Sequence, residues 1–580
     1  MRRVIPRAAR YAPEASSRAS GVLRFARRRG QASPVPVDGG DKVKEADKSE
    51  VMPDPLMRRR DVLATASAAA FMAAGGARGA PPEAPLLMTR AGPVRGYREN
   101  SISVFKGIRY GADTRARRFE KPAPPAPWTE PLDAAEFGAA APQAGGGERQ
   151  SEDCLFLNLW TPGLADGAKR PVMVYFHGGA YASGSGASPL YDGASLAARG
   201  DVVVVTVNHR LNAFGFLSLP IVTGGAFPDS GNAGMWDLVL ALHWVRDNAA
   251  AFGGDARRVM VFGQSGGGAK IATLMAAPAA RDLFHAAVTM SGQQVTASGP
   301  LHAAARARAF LDTLSISATD VGALRTMDAE KIVAALATPD AIDPARGGTY
   351  FGPTLDGRFL KRHPFWPDAP AQSAAIPMIL GNTRDETRNL IGAREPDLFS
   401  LGWDELPARL ATHMRVDLDP AEVIGAYRAH YPGYSPPDVF FAATTAGRSW
   451  RGQVEEADAR ARQGAQTWVY QMDLASPLDG GKWGAPHTFD IPLAFNTISA
   501  PGSMTGESQA ARRVAGQLSD AFIALARRGD PNHRGLPAWR DYRLPERRTM
   551  VFDETTRLRA DPRRMERELF AKAPFTQWGT

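Results

Sequence analysis

Val259-Met260-Val261-Phe262-Gly263-Gln264-Ser265-Gly266-Gly267 is the stretch on which the fold turns. Four consecutive apolar residues read as a buried strand, and they run into a serine with a glycine two residues away on either side. That spacing fits a tight strand-to-helix turn. The serine hydroxyl is thrust out of the sheet on a strained backbone, and small neighbours are needed sterically. Lys270 to Met275 then has the apolar spacing and the helix formers to continue as a helix, whose first amides would face negative charge developing beside Ser265. A free serine hydroxyl is a poor nucleophile and gains reactivity only beside a base. Alone, the pattern is weak in a chain with 58 glycines, where an ordinary glycine turn reads the same way. Oxyanion donors, an acid and a histidine must also be present, in the order this architecture requires.

Upstream, Pro171-Val172-Met173-Val174-Tyr175-Phe176 is an unbroken run of β-formers and reads as a second buried strand. It exits into His177-Gly178-Gly179-Ala180-Tyr181, a small-residue loop whose backbone can approach a ligand closely. The amides of Gly179, Ala180 and Gly266 are therefore the expected oxyanion donors, with Gly178 shaping the turn. Downstream, Pro377-Met378-Ile379-Leu380-Gly381 reads as the next core strand and leads into Asn382-Thr383-Arg384-Asp385-Glu386. Glu386 is the preferred acid and Asp385 the alternative, since either could reach an imidazole from a loop. Four of the ten histidines follow Glu386: His413, His430, His487 and His533. The first two lie in charge-studded helical segments (403–416 and 421–430), and His533 lies in a turn cluster. His487 follows the strand Thr467–Met472 and a Gly/Pro-rich loop, where a rigid sheet can present an imidazole.

Together these residues resemble the type-B carboxylesterase family of α/β-hydrolases. Further stretches carry the likeness: Phe105-Lys106-Gly107-Ile108-Arg109-Tyr110, Glu152-Asp153-Cys154-Leu155-Phe156-Leu157-Asn158-Leu159-Trp160-Thr161-Pro162, Asn208-His209-Arg210-Leu211-Asn212-Ala213-Phe214-Gly215-Phe216, Gly231-Asn232-Ala233-Gly234-Met235-Trp236-Asp237, Gly529-Asp530-Pro531-Asn532 and Leu536-Pro537-Ala538-Trp539. The resemblance runs from about residue 85 onward. It implies an α/β-hydrolase fold, a mostly parallel central sheet with helices on both faces and helical cap insertions, those around 302–337 and 401–464 covering the active-site gorge.

It also implies a serine hydrolase that cleaves carboxylic esters through an acyl-enzyme. Ser265 would be the nucleophile, Glu386 the acid and His487 the base, with Ser291 supporting the triad by hydrogen bonding. The partner is a small-molecule ester, and neither cofactor nor metal is needed. Amide or carbamate cleavage on the same scaffold, or a non-catalytic cholinesterase-like binding protein, are the alternatives. Gln264 stands where most relatives carry Glu, which argues against a choline ester. Thr488 and Asp490 replace a frequent Gly and Glu after His487. Cys154, the chain's one cysteine, matches a family cysteine that is disulfide-bonded in animal relatives; here it has no partner and is expected to be a small buried residue.

The net charge of +9 resembles a nucleic-acid signal, but its distribution argues otherwise. Residues 1–60 hold 15 Lys/Arg against 7 Asp/Glu, and the remainder 54 against 53. The basicity belongs to a leader, so no nucleic-acid partner is expected. Met57-Arg58-Arg59-Arg60-Asp61-Val62-Leu63 resembles a twin-arginine export motif. The alanine-rich run 64–74 after it is too short for a stable membrane span. The expected organisation is a disordered basic extension over 1–56, whose translation start is mis-assigned in the favoured reading, then a signal peptide over 57–80 and a single catalytic domain over 81–580. The enzyme would be periplasmic or secreted, and cytoplasmic if the leader does not function.

Overall fold

A computed structural model describes residues 84–344, 347–577 and 579. The expectations for the basic extension and the signal peptide lie outside the described residues. Eleven strands build the main sheet: β1 (Tyr97–Glu99), β2 (Ile102–Arg109), β3 (Phe156–Thr161), β4 (Arg170–Phe176), β5 (Val203–Val207), β6 (Gly254–Gln264), β7 (Ala286–Met290), β8 (Met378–Thr383), β9 (Thr467–Met472), β10 (Arg548–Phe552) and β11 (Arg557–Ala560). Their spatial order is β11-β10-β9-β8-β7-β6-β4-β5-β3-β2-β1. The seven strands from β10 to β5 are mutually parallel, and the flanking pairs are antiparallel.

The parallel strands are covered on both faces, which is why they read as continuous apolar runs and not as alternating ones. All five residues of β5 and all six of β9 are buried. One apolar cluster (Val174, Phe176, Val205, Val261, Leu242) lies on one face, and another (Tyr175, Val204, Phe262, Phe495, Phe522) on the other. A third, made by Leu406, Leu410, Tyr427, Phe440, Phe441 and Trp450, belongs to the 391–450 helices and has its own centre. No helix among the described residues is long and apolar enough to cross a membrane.

Register positions the site. Phe176 is opposite Gly263, Gln264 opposite Met290, and Met290 opposite Gly381. The loops that leave β4, β6, β7 and β8 therefore emerge side by side at the carboxyl edge of the sheet, where ligands bind in open parallel sheets. The other quoted stretches act as scaffold. Arg210 and Asp237, both buried, form a bidentate pair with Nη2 to Oδ1 at 2.6 Å, and Arg109 pairs with Asp153. Cys154 is fully buried, and burial pushes its thiol well above the usual range.

Candidate active site

Ser265 ends β6 at φ 56°, ψ −125°, and the helix Gly266–Ala276 starts at the next residue. A residue with a side chain rarely occupies that conformation. Here it is held by the Ser265 N–H, which donates to the Met290 carbonyl at 2.7 Å. Around it Ala180, Ser291 and Thr488 also have positive φ, at 53°, 52° and 73°. Four of the eighteen non-glycine residues with positive φ among the described residues thus belong to Ser265 and these three segments.

The loop after β4 lies against the serine. A Cβ on Gly178 would come within 3.2 Å of the Ser265 Cβ, and Gly266 lies directly on the backbone of Ala180. Among the described residues, no hydrogen bond uses the N–H of Gly179, Ala180 or Gly266. Three unspent donors thus belong to backbone segments in contact beside one hydroxyl.

Glu386 opens the short helix Glu386–Leu390 and is fully buried. Its Oε2 bonds to Nδ1 of His487, while Oε1 accepts from Asn382 Nδ2 at 3.0 Å and from the Thr383 N–H at 3.2 Å. Burial alone would raise its pKa. The His487 charge and the hydrogen bonds from His487, Ser291 and Asn382 outweigh it and hold the carboxyl below the usual range. Ser291 Oγ also accepts from the Thr383 N–H at 3.3 Å. Asp385, the alternative acid, points elsewhere: its Oδ2 accepts from the Ala485 N–H at 3.0 Å. The other late histidines are apart from the serine, His413 against Glu395, His430 against Tyr431 and His533 against the Gln517 carbonyl.

Gln264 was singled out in the sequence only for its missing charge, yet its amide touches the imidazole. Its Nε2 lies 3.1 Å from His487 Nε2 and 3.4 Å from Nδ1. A donor near-equidistant from both ring nitrogens cannot lie along either lone pair without meeting the carbon between them, so the amide packs on the ring face. The Ser265 hydroxyl takes part in no hydrogen bond among the described residues.

A second residue was missed. Lys270, fully buried in the helix Gly266–Ala276, donates from Nζ to the His177 carbonyl at 2.9 Å. Burial lowers its pKa to about 7. His177 stacks on His209 with centroids 4.9 Å apart, and burial, reinforced by Lys270, lowers the His177 pKa to about 3. A lone lysine in the run Gly266-Gly267-Gly268-Ala269-Lys270-Ile271-Ala272 was the available signal, because a charge there must point into protein. No group of three His, Cys, Asp or Glu side chains fit to hold a metal ion is found among the described residues. A crevice lined by Trp450, Tyr470, Tyr542 and Arg563 contains none of these site residues.

The carboxylesterase family model matches residues 83–573. The chain belongs to the carboxylesterase family. It is 33% identical over 506 residues to the para-nitrobenzyl esterase of Bacillus subtilis (strain 168), covering 83% of this chain and 98% of that one. The phenmedipham hydrolase of Pseudarthrobacter oxydans is 32% identical over 502 residues, 81% of this chain and 95% of the relative. Among solved structures, the Geobacillus stearothermophilus carboxylesterase EST55 superposes with a TM-score of 0.74 at 35% identity, covering 84% of this chain and 99% of that one. This carboxylesterase is accordingly an α/β-hydrolase and a carboxylic ester hydrolase of the serine type.

Proposed function

We propose that Ser265, His487 and Glu386 work as a triad that cleaves small carboxylic esters through an acyl-enzyme. Nε2 of His487 takes the Ser265 proton as Oγ attacks the ester carbonyl, and the imidazolium then protonates the leaving alcohol. Water repeats the sequence on the acyl-enzyme. Glu386 stays ionised, holds Nδ1 protonated and stabilises the imidazolium. The Gly179, Ala180 and Gly266 amides receive the oxyanion; each such donor is worth about a hundred- to a thousand-fold in rate. The Oγ to Nε2 hydrogen bond forms as substrate enters, since catalytic hydrogen bonds are often made only in the complex.

The observation that carries this reading is the buried Glu386 carboxylate on Nδ1 of His487, its other oxygen saturated, beside a serine on strained backbone. The test is hydrolysis of para-nitrophenyl acetate, butyrate and octanoate by the wild type and Ser265→Ala. Loss of about 10⁴-fold or more in kcat is expected. Serine-independent turnover would overturn the triad, and the chain-length trend sizes the acyl pocket. Amides and carbamates are the second substrate classes, and the relative named phenmedipham hydrolase puts phenmedipham in the panel. The leader 57–80 is proposed to direct export. Amino-terminal sequencing of the cell-envelope fraction should find a chain starting between about residues 78 and 81.

A further inference from the structure

The loop that carries His487 runs from the end of β9 at Met472 to the helix Asp490–Phe495; its first two residues, Asp473 and Leu474, donate their N–H groups to the Phe552 carbonyl at the end of β10, and beyond them no strand pairs with it among the described residues. From Lys482 to His487 its backbone partners outside the loop are one short helix, Glu386–Leu390, and the residue before it. The Asp385 N–H donates to the Ala485 carbonyl at 2.9 Å, and the Ala485 N–H returns a bond to Asp385 Oδ2. Arg388 Nη1 donates to the Lys482 carbonyl at 3.0 Å. Asn389 then takes both backbone groups of the histidine itself: the His487 N–H donates to Oδ1 at 3.0 Å, and Nδ2 donates to the His487 carbonyl at 2.8 Å. A side-chain amide offers one acceptor and one donor side by side, as a neighbouring strand's peptide would.

Glu386 and Asn389 are three residues apart and so share a helix face. One face therefore fixes His487 twice: Glu386 sets the rotation of the ring, and Asn389 sets the position of the backbone it hangs from. The loop is drawn in closely, since a Cβ on Gly484, at φ +57°, would meet the Asp385 carboxylate at 2.4 Å. The grip is itself backed by the helix Pro436–Thr445, where Thr387 donates to the Phe441 carbonyl and Arg388 pairs with Asp438.

We propose that Asn389 is a positioning residue for catalysis, holding the His487 backbone in the register that aims Nε2 at Ser265. The assignment rests on His487 being the base. A displacement of about 1 Å at a catalytic group costs on the order of a hundred-fold, and losing the amide frees a loop that has no other bond to the His487 backbone among the described residues.

The experiment compares wild type with Asn389→Leu, which keeps the volume, and Asn389→Asp, which keeps the acceptor for the His487 N–H but loses the donor. The expected result for Asn389→Leu is a fall of about 10- to 100-fold in kcat on para-nitrophenyl butyrate with KM within about twofold. Asn389→Asp should fall between it and wild type, and both melting temperatures should stay near wild type. An unchanged kcat in folded variant would overturn the assignment, leaving a stabilising contact. A raised KM with kcat intact would overturn it too, by placing Asn389 in substrate binding. Should Asn389→Leu fail to fold, the kcat of Asn389→Asp decides by the same criteria. Activity surviving Ser265→Ala or His487→Ala would instead defeat the triad reading, whatever the Asn389 variants do.

Discussion

The two halves of the site are held by different means. On the nucleophile side, backbone does the work. Ser265, its oxyanion loop and Ser291 sit at the ends of adjacent parallel strands in fixed register, and the Ser265 amide is tied to the Met290 carbonyl. On the acid and histidine side, side chains do it. Asp385 and, from the short helix after it, Glu386, Arg388 and Asn389 reach to the part of the 473–489 loop that carries His487. The first arrangement tolerates almost no added volume, because its parts are already in contact. The second tolerates volume but depends on each polar group keeping its partner.

The largest effect that would sharpen this contrast is expected at Gly267. A Cβ there would stand 1.9 Å from the Phe176 carbonyl oxygen, so Gly267→Ala must push β4 away from the nucleophile helix. A loss of about 3 kcal/mol or more is expected in urea unfolding, with activity collapsing in whatever folds. A loss under about 1 kcal/mol would mean that the backbone-held half is not close-packed after all.

Lys270 probes the same half electrostatically. Its pKa drops from 10.5 to about 7 on folding, so between those pH values the unfolded chain binds a proton that the folded chain does not. Stability must then rise with pH across that window, and the burial penalty is complete below about pH 7. Lys270→Met removes this dependence but also loses the hydrogen bond to His177, about 1 kcal/mol. The variant should gain most in melting temperature over wild type near pH 6, with the gain shrinking by pH 10. A pH-independent difference would refute the depressed pKa.

The smallest effect concerns Thr488, on the side-chain-held half. A β-branched residue at φ 73° is strained by about 1–2 kcal/mol. Thr488→Gly relieves that strain but adds unfolded-state freedom, so a net gain of about 0.5 kcal/mol is expected from the urea midpoint. Destabilisation there would show that Thr488 packs in a way that offsets its strain. The contrast between halves would then be weaker than drawn, since both would resist a one-residue change.

The same contrast explains what could be read in advance. The strands β4, β8 and β9 were legible within one or two residues, because burial on both faces leaves uninterrupted apolar runs, whereas β6 begins at Gly254, five residues before the apolar run that signalled it, in a stretch that is only partly buried. The helix after Ser265 begins four residues earlier than its apolar spacing suggested. Gly266, Gly267 and Gly268 are helical because contacts with Phe176, Ala180 and Gly292 override their poor propensity. Glu386 was preferred to Asp385 from the sequence, but position alone left Asp385 open, since adjacent carboxylates on a loop differ only in where the backbone aims them. The segment 401–464, expected as a cap, is helix-rich, and its helix Pro436–Thr445 also buttresses the acid helix.

By itself the sequence determined the α/β architecture and the strained serine turn, because these follow from local sterics and from apolar runs that neighbours in the chain specify. Only the tertiary structure decided that Glu386 and not Asp385 meets His487, that the Gln264 amide covers the imidazole, that Lys270 lies buried under the oxyanion loop and that Asn389 grips the histidine backbone. Each of those contacts joins residues far apart in the chain through a side chain's direction. That direction is set by packing and has no periodicity for a sequence to display.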